Sequence, residues 1–288
     1  MSGLAEWWAQ GERVALELRG ARRSIFTLRL GEGPSMTLLH GFPSSSHDWA
    51  KAAPALASAH SLLLCDFLGF GASDKPADHE YSLLEQADLV EALWARAEIE
   101  TTTLVGHDYA VSVVQELLAR EAEGRLSVDL RAVHLLNGGL YPDIHRPEPA
   151  QLALLDPEQG PRLSELLNEE LFTQALRPSF AESYDAAADS ADIWESTHRG
   201  DGERIAHRLI RYISDRKENE ERWVGALEST LVPLAFTWGM LDPISGAHMA
   251  QRISERRPDA PLLTLDDVAH WPMLEAPRAV ERAILAQP

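Results

Sequence analysis

The sequence predicts an α/β protein built on a mostly parallel sheet, and three observations carry that prediction. Short apolar runs recur, bounded by turn residues, and read as buried strands. Longer segments of helical spacing alternate with them, which is the pattern of strand–helix–strand units. The chain has 288 residues, enough to bury a sizeable core as one large domain or two small ones.

The strands expected, in order, are Ser24–Leu30, Met36–Leu39, Ser61–Cys65, Thr102–Val105, Ala132–Leu136, Val232–Thr237 and Pro261–Leu265. Uninterrupted apolar runs of this kind fit strands covered on both faces. Helical spacing marks Leu83–Ala97 and Val111–Arg120. Between Asn137 and Leu231 the alternation stops, and helix formers and acids replace it. A helical lid over residues 139–229 is expected there, inserted into a core made of residues 1–138 and 230–288. The charge run Asp215–Arg222 within it reads as a solvated helix face. Trp7 and Trp8 pack either on the core or on a second subunit.

Hydrophobic residues make up 45% and charged residues 25%, which is globular usage. Lys and Arg number 26 against 45 Asp and Glu, for a net charge of −19 with histidine neutral. That field repels phosphate backbones and anionic lipid, so no nucleic-acid or membrane partner is expected. The single cysteine, Cys65, lies in the apolar run Leu62-Leu63-Leu64-Cys65 and reads as a core thiol in a reducing compartment. No secretory signal or spanning segment is legible, and a cytoplasmic protein is expected. The 11 histidines form no HExxH pair and there is no CxxC, so no metal or other cofactor is expected.

In parallel sheets ligands bind beyond the carboxyl ends of the strands, and there the sequence concentrates reactive residues. Gly106-His107-Asp108-Tyr109-Ala110 joins a strand to a helix. Small flanking residues suit a sharp turn that lifts residue 108 above the sheet. Read alone, Asp108 is equally a helix N-cap. His40-Gly41-Phe42-Pro43 follows another strand and offers the Phe42 N–H, which with the Tyr109 N–H would make an oxyanion hole. Asp242 follows the strand at Val232–Thr237, and His270 follows the strand at Pro261–Leu265. Asp267 is a rival acid on the same loop as His270. His40 and His107 are expected to be structural, and Asp66 and Asp74 to be turn and capping residues.

The motifs HGFPSSSHDW, DFLGFGASDKP, VGHDYA, LNGGLYPDIHRP, WGMLDP and HWPMLEAP together resemble the α/β-hydrolases of the epoxide hydrolase and haloalkane dehalogenase group. NGGLYPDIHRP and RYISDRKENEERWVGAL resemble the mesoderm-specific transcript proteins, a branch of that group. The resemblance implies the α/β-hydrolase fold with an inserted helical cap. It also implies a triad of Asp108 as nucleophile, His270 as base and Asp242 as its orienting acid. Asp stands where esterases of this fold hold Ser, so the implied intermediate is an alkyl-enzyme ester that water then hydrolyses.

Epoxide opening further requires an acid for the ring oxygen. The resemblance places Tyr212 at one lid-tyrosine position, with Tyr141, Tyr184 and His145 as candidates for a second. Only apolar residues, around Leu152–Leu155, occupy the usual place of the first. Dehalogenases instead cradle halide with N–H donors. Here Tyr109 follows the nucleophile and Phe42 stands where Asn is common, while Trp49, Trp194, Trp238 and Trp271 fall elsewhere. The expected reaction is hydrolysis of a small apolar epoxide to a vicinal diol, by a monomer or homodimer using only water. Haloalkane dehalogenation through the same triad is the alternative. A non-catalytic binding or signalling module is a third reading, against which the intact Asp108, Asp242 and His270 set argues.

Overall fold

The computed structural model describes residues 3–286. A helix α1 (Leu4–Gln10) leads into a sheet of β1 (Glu12–Leu18), β2 (Ala21–Leu30), β3 (Ser35–Leu39), β4 (Ser61–Cys65), β5 (Thr101–His107), β6 (Asp129–Leu136), β7 (Leu234–Gly239) and β8 (Leu262–Leu265). Their order across the sheet is β1-β2-β4-β3-β5-β6-β7-β8. β1 and β2 run antiparallel at one edge, and β3 to β8 pair in parallel. Every expected strand is present within a few residues of its expected ends.

β1 was not expected. Only Val14, Leu16 and Leu18 of it are buried, alternating with exposed residues, as befits an edge strand with one wet face. In β4, by contrast, Leu62 and Leu64 join one apolar cluster and Leu63 and Cys65 the other. Burial on both faces is why that run carries no polar alternation. The same burial pushes the Cys65 thiol far above its usual range.

Helices α2 (Ala53–Ala57), α3 (Leu83–Arg96) and α4 (Tyr109–Ala122) connect the first strands. Ser82 caps α3 by accepting from the Glu85 N–H. Between β6 and β7 the described elements are all helical: α5 (Pro149–Leu155), α6 (Gln159–Leu166), α7 (Glu169–Leu176), α8 (Ala187–His198), α9 (Ala206–Leu209), α10 (Tyr212–Glu218) and α11 (Glu220–Ser229), with short 3₁₀ turns. α12 (Ala247–Arg256), α13 (Pro272–Glu275) and α14 (Pro277–Leu285) complete the chain.

The run Asp215–Arg222 is only in part the solvated face expected of it. Asp215 accepts from the Leu83 N–H at 2.8 Å. Arg216 is 1% exposed. Arg222 reaches Glu116 and Glu123 on and beside α4, and Trp223 donates to Glu116 at 2.8 Å. Asp215, Arg216 and Arg222 thus pin α10 and α11 onto the core, while Lys217, Glu218 and Glu221 of the run are exposed as expected. Trp7 and Trp8 resolve in favour of the core: their indole N–H groups donate to Ser46 and Asp66. Among the described residues no helix is long and apolar enough to cross a membrane.

Parallel register brings the strand ends level. Leu39 of β3 faces Gly106 of β5, His107 of β5 faces Leu136 of β6, and Gly239 of β7 faces Leu265 of β8. The loops carrying Phe42, Asp108, Asn137, Asp242 and His270 therefore leave the sheet side by side.

Candidate active site

Asp108 sits at the turn from β5 to α4 with φ 47° and ψ −103°. Positive φ at a residue with a Cβ costs roughly 1–3 kcal/mol and persists only where the surroundings enforce it. Here the enforcement is tight packing. A Cβ on Gly41 would come within 2.9 Å of the Asp108 Cβ, and one on Gly138 within 2.8 Å of the Asp108 carbonyl oxygen. The side chain makes no capping bond to α4, which disposes of the N-cap reading. Its Oδ2 accepts from the Phe42 N–H at 3.0 Å instead. The other expected donor, the Tyr109 N–H, makes no hydrogen bond to this carboxylate.

His270 and Asp242 complete the cluster. The His270 Nδ1–H donates to Asp242 Oδ2 at 2.8 Å, and Nε2 stands 3.9 Å from Asp108 Oδ1. Asp242 is held from every side: Asn137 Nδ2 (3.0 Å) and Ser245 Oγ (2.8 Å) donate to Oδ2, and the Ile244 N–H (2.8 Å) to Oδ1. Burial alone would raise its pKa, but His270 and these donors outweigh burial and hold it well below the usual carboxylate range. Burial likewise works to lower the His270 pKa, yet the Asp242 and Asp108 carboxylates prevail and push it up to about 9. Asp267, the rival acid, is exposed. A carboxylate, an imidazole and a second carboxylate in this sequence can support nucleophilic attack followed by base-assisted hydrolysis.

The neighbouring histidines serve the backbone. His40 Nε2 accepts from the Phe67 N–H at 3.0 Å, so its Nδ1 carries the hydrogen that reaches the Gly41 carbonyl at 2.8 Å. His107 Nε2 donates to the His270 carbonyl at 2.7 Å, and burial depresses its pKa to about 3. Asp66 accepts from the Ser46 and Ala72 N–H groups, and Asp74 from the Ser24 N–H, as turn-holding residues do.

A cavity of about 400 Å³ opens above Asp108 and His270, walled by Phe42, Trp271 and residues of α5, α6 and α7. The four ring-acid candidates fare differently against it. Tyr212 is buried just behind the wall, its ring 5.6 Å from Phe42 and 5.2 Å from Tyr109. Its hydroxyl meets Nε2 of Gln151, a wall residue, at 3.5 Å. Burial and then the Asp108 charge raise the phenol pKa and keep it protonated.

The other three, like Tyr212, are not among the residues lining the cavity, and each is held elsewhere. Tyr184 is engaged elsewhere, with Lys51 Nζ at 2.7 Å and the Leu274 carbonyl at 3.0 Å. The Tyr141 ring lies under Arg252 of α12. His145 lines a separate cleft with Arg146, His248 and Arg252. Burial and the Arg216 charge lower its pKa to about 3, so near neutrality it is an uncharged imidazole.

Two wall or support residues escaped the sequence reading. Arg216 sends Nη2 to the Asp108 carbonyl at 2.9 Å and Nε to Ser112 Oγ at 2.7 Å, with its guanidinium 4.5 Å from the Tyr212 ring centre. Nothing in a run of alternating charges distinguishes the one that folds inward. Gln151 lies one residue before the apolar stretch that drew attention. Its Oε1 accepts from the Glu148 N–H at 2.8 Å in a capping box, which fixes Nε2 as the donor facing Tyr212. That signal was available, since Gln three residues after Glu148 is a capping spacing.

Trp271 also lines the cavity, but its indole N–H is committed to Ser179 Oγ at 2.8 Å. Among the described residues no group of three or more His, Cys, Asp or Glu is placed to hold a metal ion.

Comparison with known proteins agrees with this architecture. Residues 34–179 match the family described as alpha/beta hydrolase fold. LipZ of Mycobacterium tuberculosis, named as a hydrolase, is 39% identical over 257 residues, covering 89% of this chain and 88% of that protein. The human mesoderm-specific transcript homolog protein is 38% identical over 257 residues, covering 86% and 76%. The solved haloalkane dehalogenase DbeA of Bradyrhizobium elkani superposes with a TM-score of 0.78 at 19% identity, covering 95% of this chain and 96% of that one, a likeness of fold. The chain belongs to the α/β-hydrolase family. Within it, the mesoderm-specific transcript proteins are among its relatives, as the sequence motifs indicated.

Proposed function

We propose that this protein hydrolyses epoxides through an ester on Asp108. The observation that carries the reading is the line from Asp242 through His270 to Asp108 Oδ1, with Oδ2 held by the Phe42 N–H, at the floor of an apolar cavity. Oδ1 attacks a ring carbon and the carbon–oxygen bond opens. The ring oxygen takes the Tyr212 proton, and the Gln151 amide N–H beside that hydroxyl steadies the same oxygen. Water then attacks the ester carbonyl and passes one proton to His270, whose imidazolium Asp242 stabilises. Negative charge collects on Oδ2 at the Phe42 N–H, where the Tyr109 N–H joins as second donor. Collapse releases the diol carrying Oδ1, protonated by His270, and the remaining water proton returns to Tyr212.

Epoxide is preferred over alkyl halide because the cavity offers few N–H donors. The Trp271 N–H is bonded to Ser179, and the Phe42 and Tyr109 side chains have none. Gln151 Nε2 is the donor that keeps dehalogenation as a second reading. The deciding experiment assays styrene-type epoxides beside short haloalkanes, with wild type and Asp108→Asn. Diol formation lost in the variant supports the reading. Halide release without diol formation favours dehalogenation, and activity surviving in Asp108→Asn rejects the nucleophile.

A further inference from the structure

We propose that the substrate is a neutral electrophile on an extended alkyl tail, whose tail lies among the leucines of α5, α6 and α7 while its reactive carbon meets Asp108. The inference rests on the reading of Asp108 as nucleophile, and it extends the small apolar substrate expected from sequence.

Three features carry it. First, the wall beyond the triad is aliphatic: Leu154, Leu163, Leu166, Leu167, Leu171 and Leu176 all line it. Second, Leu163, Leu166 and Leu171 are wall residues that are also 38%, 67% and 48% exposed. The cavity thus continues from Asp108 to the surface between leucines, and a linear tail has a path of unbroken apolar contact. Third, two polar groups of the wall, Ser179 and Thr197, are already occupied. Ser179 Oγ donates to the Leu176 carbonyl at 2.6 Å and accepts from Trp271, and Thr197 Oγ1 donates to the Ile193 carbonyl at 2.8 Å. A hydroxylated or peptidic substrate would leave its own donors unpaired there, at a cost of about 1–3 kcal/mol for each buried group. An acidic tail is disfavoured too. Glu148 lies in the wall, and Glu165, Glu169 and Glu170 stand on α6 and α7 with Arg162 as the one cation.

The test separates tail recognition from chemistry. Binding of a 1-alkanol series, from butanol to decanol, is followed on the wild-type protein by the fluorescence of its tryptophans. Turnover of the matching terminal epoxides is measured in parallel. Affinity is expected to rise about fourfold per methylene, the equivalent of about 0.8 kcal/mol, and Leu166→Gln or Leu171→Gln should reduce the ratio of long-tail to short-tail affinity. A slope of this kind without epoxide turnover overturns the epoxide reading and leaves the tail site standing. Turnover with affinity indifferent to tail length overturns the tail site. So does a slope that both substitutions leave unchanged.

Discussion

Arg216 and Asp108 are 108 positions apart in sequence, yet Arg216 Nη2 donates to the Asp108 backbone carbonyl at 2.9 Å and lies 3.8 Å from its Oδ1. A guanidinium from the helices between β6 and β7 thereby steadies the strained turn and sets a positive charge beside the carboxylate. Arg216→Met is expected to lower turnover by at least about tenfold and to destabilise the fold by about 3–5 kcal/mol, the range for breaking a buried charged contact. Arg216→Lys keeps the charge but not both hydrogen bonds and should fall between. Denaturant unfolding beside steady-state kinetics checks the order of the three proteins.

The ester mechanism makes an isotopic prediction. In a single turnover in water carrying heavy oxygen, the label should enter Asp108 rather than the diol, because the diol leaves with Oδ1. Mass spectrometry of the peptide containing Asp108 reads this directly. His270→Gln should halt the cycle at the ester and add the mass of the substrate to the protein. Label appearing first in the diol would mean direct attack by water.

The pH dependence follows from His270, whose pKa is pushed from 6.5 to about 9. A pKa raised on folding stabilises fully below the unfolded value, and the gain is lost as pH climbs through the folded one. The melting temperature should therefore fall between pH 6.5 and 9 through this group, and Asp242→Asn should flatten the fall. Ester hydrolysis needs the neutral imidazole and should quicken over rising pH. Esterification removes the Asp108 charge, one of the groups raising this pKa, so the midpoint for the hydrolytic step should lie below 9. Rapid-quench measurement of ester accumulation against pH locates it.

Tyr212→Phe should slow epoxide opening by roughly 10²–10⁴, the scale of a positioned general acid, and spare attack on an alkyl halide, whose leaving group needs no proton. Equal loss on the two substrates would reduce Tyr212 to a packing residue against Phe42 and Tyr109.

The sheet and the cluster at its edge were legible because each depends on local pattern. Strands such as Ser61–Cys65 are buried on both faces and announce themselves as apolar runs, and Asp108, Asp242 and His270 each follow one of them. The edge strand Glu12–Leu18 was hidden by its wet face, where Arg13 and Glu17 interrupt the signal. Among the candidates for the second ring acid, sequence position alone could not separate Tyr141, which lies under Arg252, from Tyr184, which faces Lys51. Which side of a helix between β6 and β7 turns inward depends on packing between distant segments. The same limit concealed Arg216.

Cys65 has a use beyond its place in β4. It is the sole cysteine of the chain, it is buried, and its thiolate is suppressed, so maleimides will pass it by. A cysteine introduced at Leu231, which is 97% exposed, would then be the only labelling handle, ready for a fluorophore or spin probe without first stripping the native thiol.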